Sequence, residues 1–135
     1  MEYMPLARSE SVTEKRTFAE HALVRRCAVP AMGYIEKGIL HTSYDAGMIY
    51  FAGIYQTIKE TRTGKDITVF CILTSEPEQP EVRRVHDRML LILTEDKVRE
   101  WLNCGDSPVD VQFFIACQKA PLLALVNKVS GFKML

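Results

Sequence analysis

Met48-Ile49-Tyr50-Phe51-Ala52-Gly53-Ile54-Tyr55 and Ile67-Thr68-Val69-Phe70-Cys71-Ile72-Leu73 are two runs dense in β-branched and aromatic side chains, the types that fit a pleated, half-buried surface. They predict two antiparallel strands. Between them, Glu60-Thr61-Arg62-Thr63-Gly64-Lys65-Asp66 is short, polar and glycine-containing, as a hairpin loop should be. On the N-terminal side, Lys37-Gly38 reads as a turn between two short strands, and Pro30 and Gly33 punctuate the segment before it. Thr17, with Glu20 three positions later, reads as a capping box opening a short helix through Phe18–Val24, with Arg25 and Arg26 in its last turn. On the C-terminal side, Ser75 to Glu81 carries Pro77 and Pro80 and reads as an extended loop leading to Val82–Arg88. Leu90–Leu93 is then a buried strand, and Thr94 caps a helix that presents Val98, Trp101 and Leu102 on one face and stops at Gly105. Ser107-Pro108, with Asp110 at the third helical position, starts a second helix. From Pro121 onward helix and strand signals conflict, and the segment stays unassigned. Strands mixed irregularly with short helices predict an α+β fold rather than a regular βαβ series.

The chain has 135 residues, the size of a single domain with a real hydrophobic core. Lys plus Arg and Asp plus Glu both number 17, so a nucleic-acid surface must be a local patch rather than a basic coat. The apolar share is 47% with mean hydropathy near zero, which fits a soluble globular protein. Apolar stretches such as Phe113–Cys117 fall far short of the roughly 20 residues that a membrane-spanning helix needs. The start of the chain lacks the apolar core of a secretory signal, so a cytoplasmic location is expected. Cys27, Cys71, Cys104 and Cys117 form no C-x-x-C pair and, with His21, His41 and His86, no zinc spacing. No metal and no cofactor are expected, and Cys71 reads as a small buried hydrophobe.

Arg83-Arg84-Val85-His86-Asp87-Arg88 sets a histidine among three arginines and beside a carboxylate. A loop histidine can act as general acid or base near neutral pH and arginines can hold phosphates; a solvated polar loop is the plainer account. Glu36 stands at a strand end after Gly33-Tyr34-Ile35, where an exposed glutamate before a turn is equally ordinary. Arg8 can contact phosphate or simply pair with Glu10. The chain has no G-x-S-x-G elbow, P-loop or H-E-x-x-H.

The order of these pieces carries a resemblance. LARSESVTEKRTFAEHALVRRCAVPAMGYIEK, residues 6–37, resembles the SOS response-associated peptidase family, in which an N-A-R-S-E-like motif precedes K-x-x-F, R-R-C-x-x-P-x-x-G and an aromatic-x-E-W ending. YFAGIYQ at 50–56 is similar to the family's F-A-G-[LI]-[WY] strand, and FCILTSEP at 70–77 to its T-x-x-T-T-x-A strand. VHDRMLLIL at 85–93 is similar to its H-D-R-M-P-V-I-L motif, and Trp101-Leu102 falls where the family has a W-L helix. The resemblance implies one domain over 1–135, with a mostly antiparallel, barrel-like sheet and short flanking helices. It further implies recognition of abasic sites in single-stranded DNA, with a DNA–protein crosslink formed through an N-terminal cysteine and an autoproteolytic peptidase activity. The ring-opened sugar is an aldehyde, with which an α-amine forms an imine and an adjacent thiol closes a thiazolidine. Glu36 and His86 match the family's active-site acid and base. Arg8, Arg16 and Arg88 are implied as phosphate contacts around the lesion.

Leu6 stands where the family has asparagine, Lys37 where it has tryptophan and Leu90 where it has proline. The family begins with Met-Cys-Gly-Arg and carries a further segment before the N-A-R motif, whereas this chain begins with Met1-Glu2-Tyr3 only a few residues ahead of it, and it reads as an N-terminally truncated member that lacks the nucleophile. Loss of a segment from a closed sheet exposes an edge and apolar surface, so a homodimer, or association with a separate N-terminal fragment, is expected. The alternative function is a non-catalytic interaction module that retains the fold. An independent hydrolase built on His86 and Asp87 lacks a nucleophile at a recognisable spacing.

Overall fold

A computed structural model describes residues 6–45 and 47–126. In chain order it has β1 (Leu6–Arg8), a 3-10 turn (Ser9–Ser11), α1 (Ala19–Val24), β2 (Arg26–Ala31), β3 (Tyr34–Glu36) and β4 (Ile39–Ser43). Then come β5 (Ile49–Lys59), β6 (Asp66–Ser75), α2 (Pro80–Val85), β7 (Met89–Leu90), β8 (Ile92–Leu93), α3 (Glu95–Leu102), α4 (Pro108–Ala116) and β9 (Leu123–Val126). The fold is α+β, with a main sheet curled into a half-barrel. Its strand order is β1-β6-β5-β2, with β7 and β8 paired to β6 and β5, while β3, β4 and β9 form a second sheet.

The β5–β6 hairpin forms as its composition demands, antiparallel from Gly53↔Ile72 to Lys59↔Asp66. Because side chains alternate along a strand, the main sheet presents two apolar faces. Ala52, Ile54, Cys71 and Leu73 pack with Ala7 against Val12, Trp101, Val111 and Phe114, on the helical side. Ile49, Phe51 and Ile72 pack with Val82, Met89, Ile92 and Leu123, toward α2 and the second sheet. Burial on both faces explains why Cys71-Ile72-Leu73 is apolar without alternation. At Gly53 an added Cβ would lie 3.0 Å from Cys27 Sγ and 3.1 Å from the Cys71 carbonyl, so a larger residue would have to push these neighbours back by a few tenths of an ångström.

Several local expectations are met. Lys37 and Gly38 form the β3–β4 turn with φ of 52° and 76°, the double left-handed pair that suits a two-residue hairpin. Ser107 Oγ accepts from Asp110 N–H at 3.1 Å and Pro108 opens α4. Others are corrected. The Thr17–Glu20 capping box is not made: the residue preceding α1 is Phe18, one position later, and it provides no side-chain cap. Pro30 does not end its segment but lies within β2, tolerated because β2 is an edge strand. Arg26 belongs to β2 rather than to the last helical turn. Residues 80–85, expected as loop, form α2, with Pro80 in its first turn and Arg83 and Arg84 in its last. Leu102 is exposed while Trp101 is fully buried, and α3 ends two residues before Cys104, earlier than Gly105. The Leu90–Leu93 run is not one strand. Past Gly53 and Ile72 the hairpin strands splay, and Leu91 bridges them, donating to the Leu73 carbonyl and accepting from Ala52 N–H. The unassigned segment after Pro121 supplies β9, which pairs with β4.

Candidate functional site

Arg88 holds the first cluster together. Its Nη1 and Nη2 each donate at 2.8 Å to the two Glu10 carboxylate oxygens, and Nη2 also donates to the Thr74 carbonyl and hydroxyl at 2.8 and 2.9 Å. This is the bidentate fork that guanidinium planarity favours. The Arg88 side chain is 14% exposed and Glu10 47%. The hydrogen bonds from Arg88 hold the Glu10 carboxyl below the usual carboxylate range despite partial burial, and Glu10 in turn makes Arg88 harder to deprotonate. Arg88 Nε is buried without a partner among the described residues. The turn that carries Glu10 is pinned from α4: Gln112 donates to the Ser9 carbonyl and accepts from Thr13 N–H and Oγ1. Arg8 is exposed and in register with Thr74, so it shares this neighbourhood. Arg16 is exposed in the turn before α1, and no contact around Arg88, His86 or Glu36 involves it among the described residues.

His86 follows α2 directly, its N–H donating to the Val82 carbonyl at 3.2 Å. Arg88 N–H donates to His86 Nδ1 at 2.9 Å. Nδ1 also lies 3.2 Å from the Arg88 carbonyl, so it accepts from the amide in one tautomer and can donate to the carbonyl in the other, and in both Nε2 is bonded to nothing among the described residues. The Asp87 carboxylate, 3.2 Å from Nδ1, becomes an ion-pair partner only when the ring is protonated. With 37% of its side chain exposed, the imidazole is oriented by its own loop and keeps Nε2 available.

Glu36 closes β3 and has no hydrogen-bond or ion-pair partner among the described residues. By strand alternation it shares the inward face with Tyr34, opposite to exposed Ile35. Tyr34 stacks on buried His41 at 4.6 Å and meets Phe51 of the main sheet edge-on at 5.9 Å. Burial, and then the charge of Glu36, hold the Tyr34 phenol firmly protonated. His41 Nδ1 lies 2.9 Å from the Ile39 carbonyl, to which it can donate. This aromatic stack seats the β3–β4 hairpin on the main sheet and so fixes where Glu36 sits.

A cleft of about 790 Å³ separates the second sheet from α2. Lys37 and Ile39 line one wall and Arg84 and Val85 the other, over a floor of Leu123–Leu125. Glu36 adjoins Lys37 and lies across the strand pair from Ile39, while His86 follows Val85. The chain neighbours of the two predicted site residues, Lys37 and Val85, thus line one cleft, and no hydrogen bond joins Glu36 to His86 among the described residues. Sequence reading missed Tyr34 and His41, whose role depends on stacking across a strand pair and leaves no spacing signal. Three of the four cysteines are poor nucleophiles: burial pushes the Cys27 and Cys104 thiols up, and burial with Cys27 nearby pushes Cys71 up to about 11. Among the described residues no group of three or more His, Cys, Asp or Glu could hold a metal, and no helix is long and apolar enough to cross a membrane.

The fold defines the class of protein: an α+β domain whose main sheet curls into a half-barrel. The model of the SOS response associated peptidase (SRAP) family matches residues 2–127, and the chain belongs to that family. It is 32% identical over 113 residues to the abasic site processing protein YoaM of Bacillus subtilis, covering 77% of this chain and 49% of the relative. To the abasic site processing protein YoqW of Bacillus phage SPbeta it is 30% identical, over 77% of this chain and 50% of the relative. The chain therefore spans about half the length of the curated relatives it matches. A crystal structure of a Bacteroides thetaiotaomicron protein superposes with a TM-score of 0.70 at 27% identity, over 82% of this chain and 52% of the other. A Bordetella bronchiseptica protein, at 24% identity and TM-score 0.74 over 90% and 64%, shares the fold.

Proposed function

We propose that this chain binds abasic sites in single-stranded DNA and that Glu36 and His86 form its acid–base pair. Family membership and the names of the relatives indicate abasic-site processing. What supports the finer reading is that Lys37 and Val85, the chain neighbours of Glu36 and His86, line one cleft, and that His86 Nε2 makes no hydrogen bond among the described residues. Opening the abasic sugar to its aldehyde requires a proton to leave the anomeric hydroxyl and another to reach the ring oxygen. A carboxylate and an imidazole can exchange those two protons, and the same pair can serve imine formation, its reversal and autoproteolysis. Arg8, Arg16 and Arg88 contact phosphates around the lesion in this reading. The family's covalent step uses an N-terminal cysteine, whereas the acid–base and phosphate roles assigned here do not depend on it. We take residues 1–135 as one domain acting in the cytoplasm.

The test is incubation of the chain with a single-stranded oligonucleotide carrying one abasic site, resolved on a denaturing gel beside a Glu36→Ala, His86→Ala variant. A slow-migrating band that the variant loses means that an amine of this chain reaches the aldehyde with the help of the pair, and absence of the band from both proteins moves the reading to noncovalent binding. An equally strong band in the variant would overturn the acid–base assignment.

One observation favours a second reading, a non-catalytic module that keeps the fold: the Arg88 fork is already filled by Glu10 and Thr74, leaving less of it for phosphate. Salt separates the two, because phosphate contacts weaken steeply as salt rises. Binding to single-stranded oligonucleotides that is absent, or insensitive to salt, supports the module.

The outer edge of β1 pairs with no strand among the described residues, and Leu6 and Phe70 are exposed nearby. Such an edge invites pairing, so the chain forms a homodimer or takes up a separate N-terminal fragment. Light scattering that gives a clean monomer, with no change on adding that fragment, removes this part of the reading.

A further inference from the structure

The cleft between β9 and α2 is lined by neighbours of Glu36 and His86 rather than by those two residues, and its lining has no part in the acid–base reading. At one end stands Lys37, in the left-handed β3–β4 turn. At the other, past the far end of β4, which itself spans roughly 13 Å at ~3.3 Å per residue, stands Tyr44, 72% exposed and with no aromatic partner among the described residues. Arg84 projects from the last turn of α2 and has no hydrogen-bond or ion-pair partner among the described residues. Glu81, one helical turn earlier, is the carboxylate of this lining and receives a long contact from Gln79 Nε2 at 3.5 Å. The lining thus combines two cations, one carboxylate and an exposed ring over an apolar floor.

We propose that this cleft holds the single strand that flanks the lesion, with Tyr44 stacking a base and Arg84 and Lys37 contacting phosphates. The inference rests on the abasic-site reading and adds to it the path of the flanking strand. Aromatic platforms beside a basic groove bind single strands with little sequence preference, because every base offers a π face. An extended peptide added to β9 is the competing occupant, and the structure disfavours it. The Gln79 carboxamide accepts from Leu123 N–H and donates to the Leu123 carbonyl, both at 2.9 Å. That side chain occupies the edge of β9 much as a neighbouring strand would, and so blocks strand addition there.

The experiment measures fluorescence anisotropy of single-stranded oligonucleotides that carry one tetrahydrofuran abasic analogue, with 2-aminopurine at successive positions on either side of it. The unsubstituted chain is compared with Tyr44→Ala, Tyr44→Phe and Arg84→Ala across a salt series. Tyr44→Ala is expected to weaken binding at least about fivefold and to abolish quenching of 2-aminopurine at one flanking position, while Tyr44→Phe keeps both. Arg84→Ala is expected to lower the salt slope by about one. Tyr44 and Arg84 are both exposed, so the variants fold. If the unsubstituted chain binds but the alanine variants match it in affinity, quenching and salt slope, the cleft is overturned and the abasic-site reading stands. If the unsubstituted chain does not bind the analogue at all, the abasic-site reading falls and this inference with it. Binding of unrelated extended peptides that Tyr44→Ala abolishes, with DNA binding unchanged, would also overturn it.

Discussion

Replacing Glu10 by Gln keeps the shape of the side chain and removes the charge that Arg88 grips through two bonds of 2.8 Å. Charge-assisted bonds contribute about 1.5–3 kcal/mol each when well buried. Glu10 is 47% exposed, so solvent screening reduces the pair to about 1–2 kcal/mol in total. For a domain of this size 1 kcal/mol corresponds to about 4 °C in Tm, which gives a loss of about 4–8 °C near pH 7. The pH dependence has a definite sign. The folded carboxyl titrates below its ordinary value of 4.5, so its contribution is fully present above that value and is lost as pH falls through the lower folded value. The melting difference between the parent and Glu10→Gln should therefore shrink in strong acid. Thermal melts across pH, with Arg88→Met closing a double-mutant cycle, measure both effects. A variant that melts within a degree of the parent at pH 7, or a gap that widens in acid, would refute the reasoning. The same variant bears on function: releasing the fork should tighten binding to single-stranded DNA and steepen its salt dependence by about one unit.

Two further outcomes follow from the packing. Arg26 donates to the Ala22 and Leu23 carbonyls at 2.8 and 2.9 Å and to the Trp101 and Leu102 carbonyls at 2.7 and 3.3 Å, with its guanidinium 5.5 Å from the Trp101 ring centroid. It therefore closes the C-terminal ends of both α1 and α3, and Arg26→Met should cost about 3 kcal/mol, read as a lower urea midpoint with an unchanged m-value. Among the thiols, Cys117 is exposed and Cys71 buried, with its thiol pushed up to about 11. Ellman's reagent at pH 8 should modify Cys117 promptly and Cys71 only after denaturation.

Much of the fold is legible in short stretches of sequence because the forces that set it are local. The 48–55 and 67–73 runs and the loop between them specify a hairpin through alternation and turn composition. Lys37-Gly38 specifies a two-residue turn, and Ser107-Pro108 a helix start. Resemblance to the family added the order of the motifs and named Glu36 and His86. What stayed hidden is non-local. Val82–Arg88 reads as loop because its arginines mask a six-residue helix whose one buried anchor is Val82. Leu90–Leu93 reads as one strand because nothing in four apolar residues announces that Leu91 serves two diverging neighbours. The Thr17 capping box fails because the helix starts one residue later than expected, with Phe18 in the cap position.

The sequence by itself determined the α+β class, the central hairpin and the residue types available for acid–base chemistry, since each depends on side chains within a few positions of one another. Tertiary structure decided how those residues are used. It joined Glu10 to Arg88 across 78 positions, stacked Tyr34 on His41 to fix Glu36, and brought α2 against β9 to open the cleft beside His86. A charge carries no record in the chain of its distant partner. Whether Arg88 is a free phosphate ligand or half of an ion pair depends on where the fold delivers Glu10.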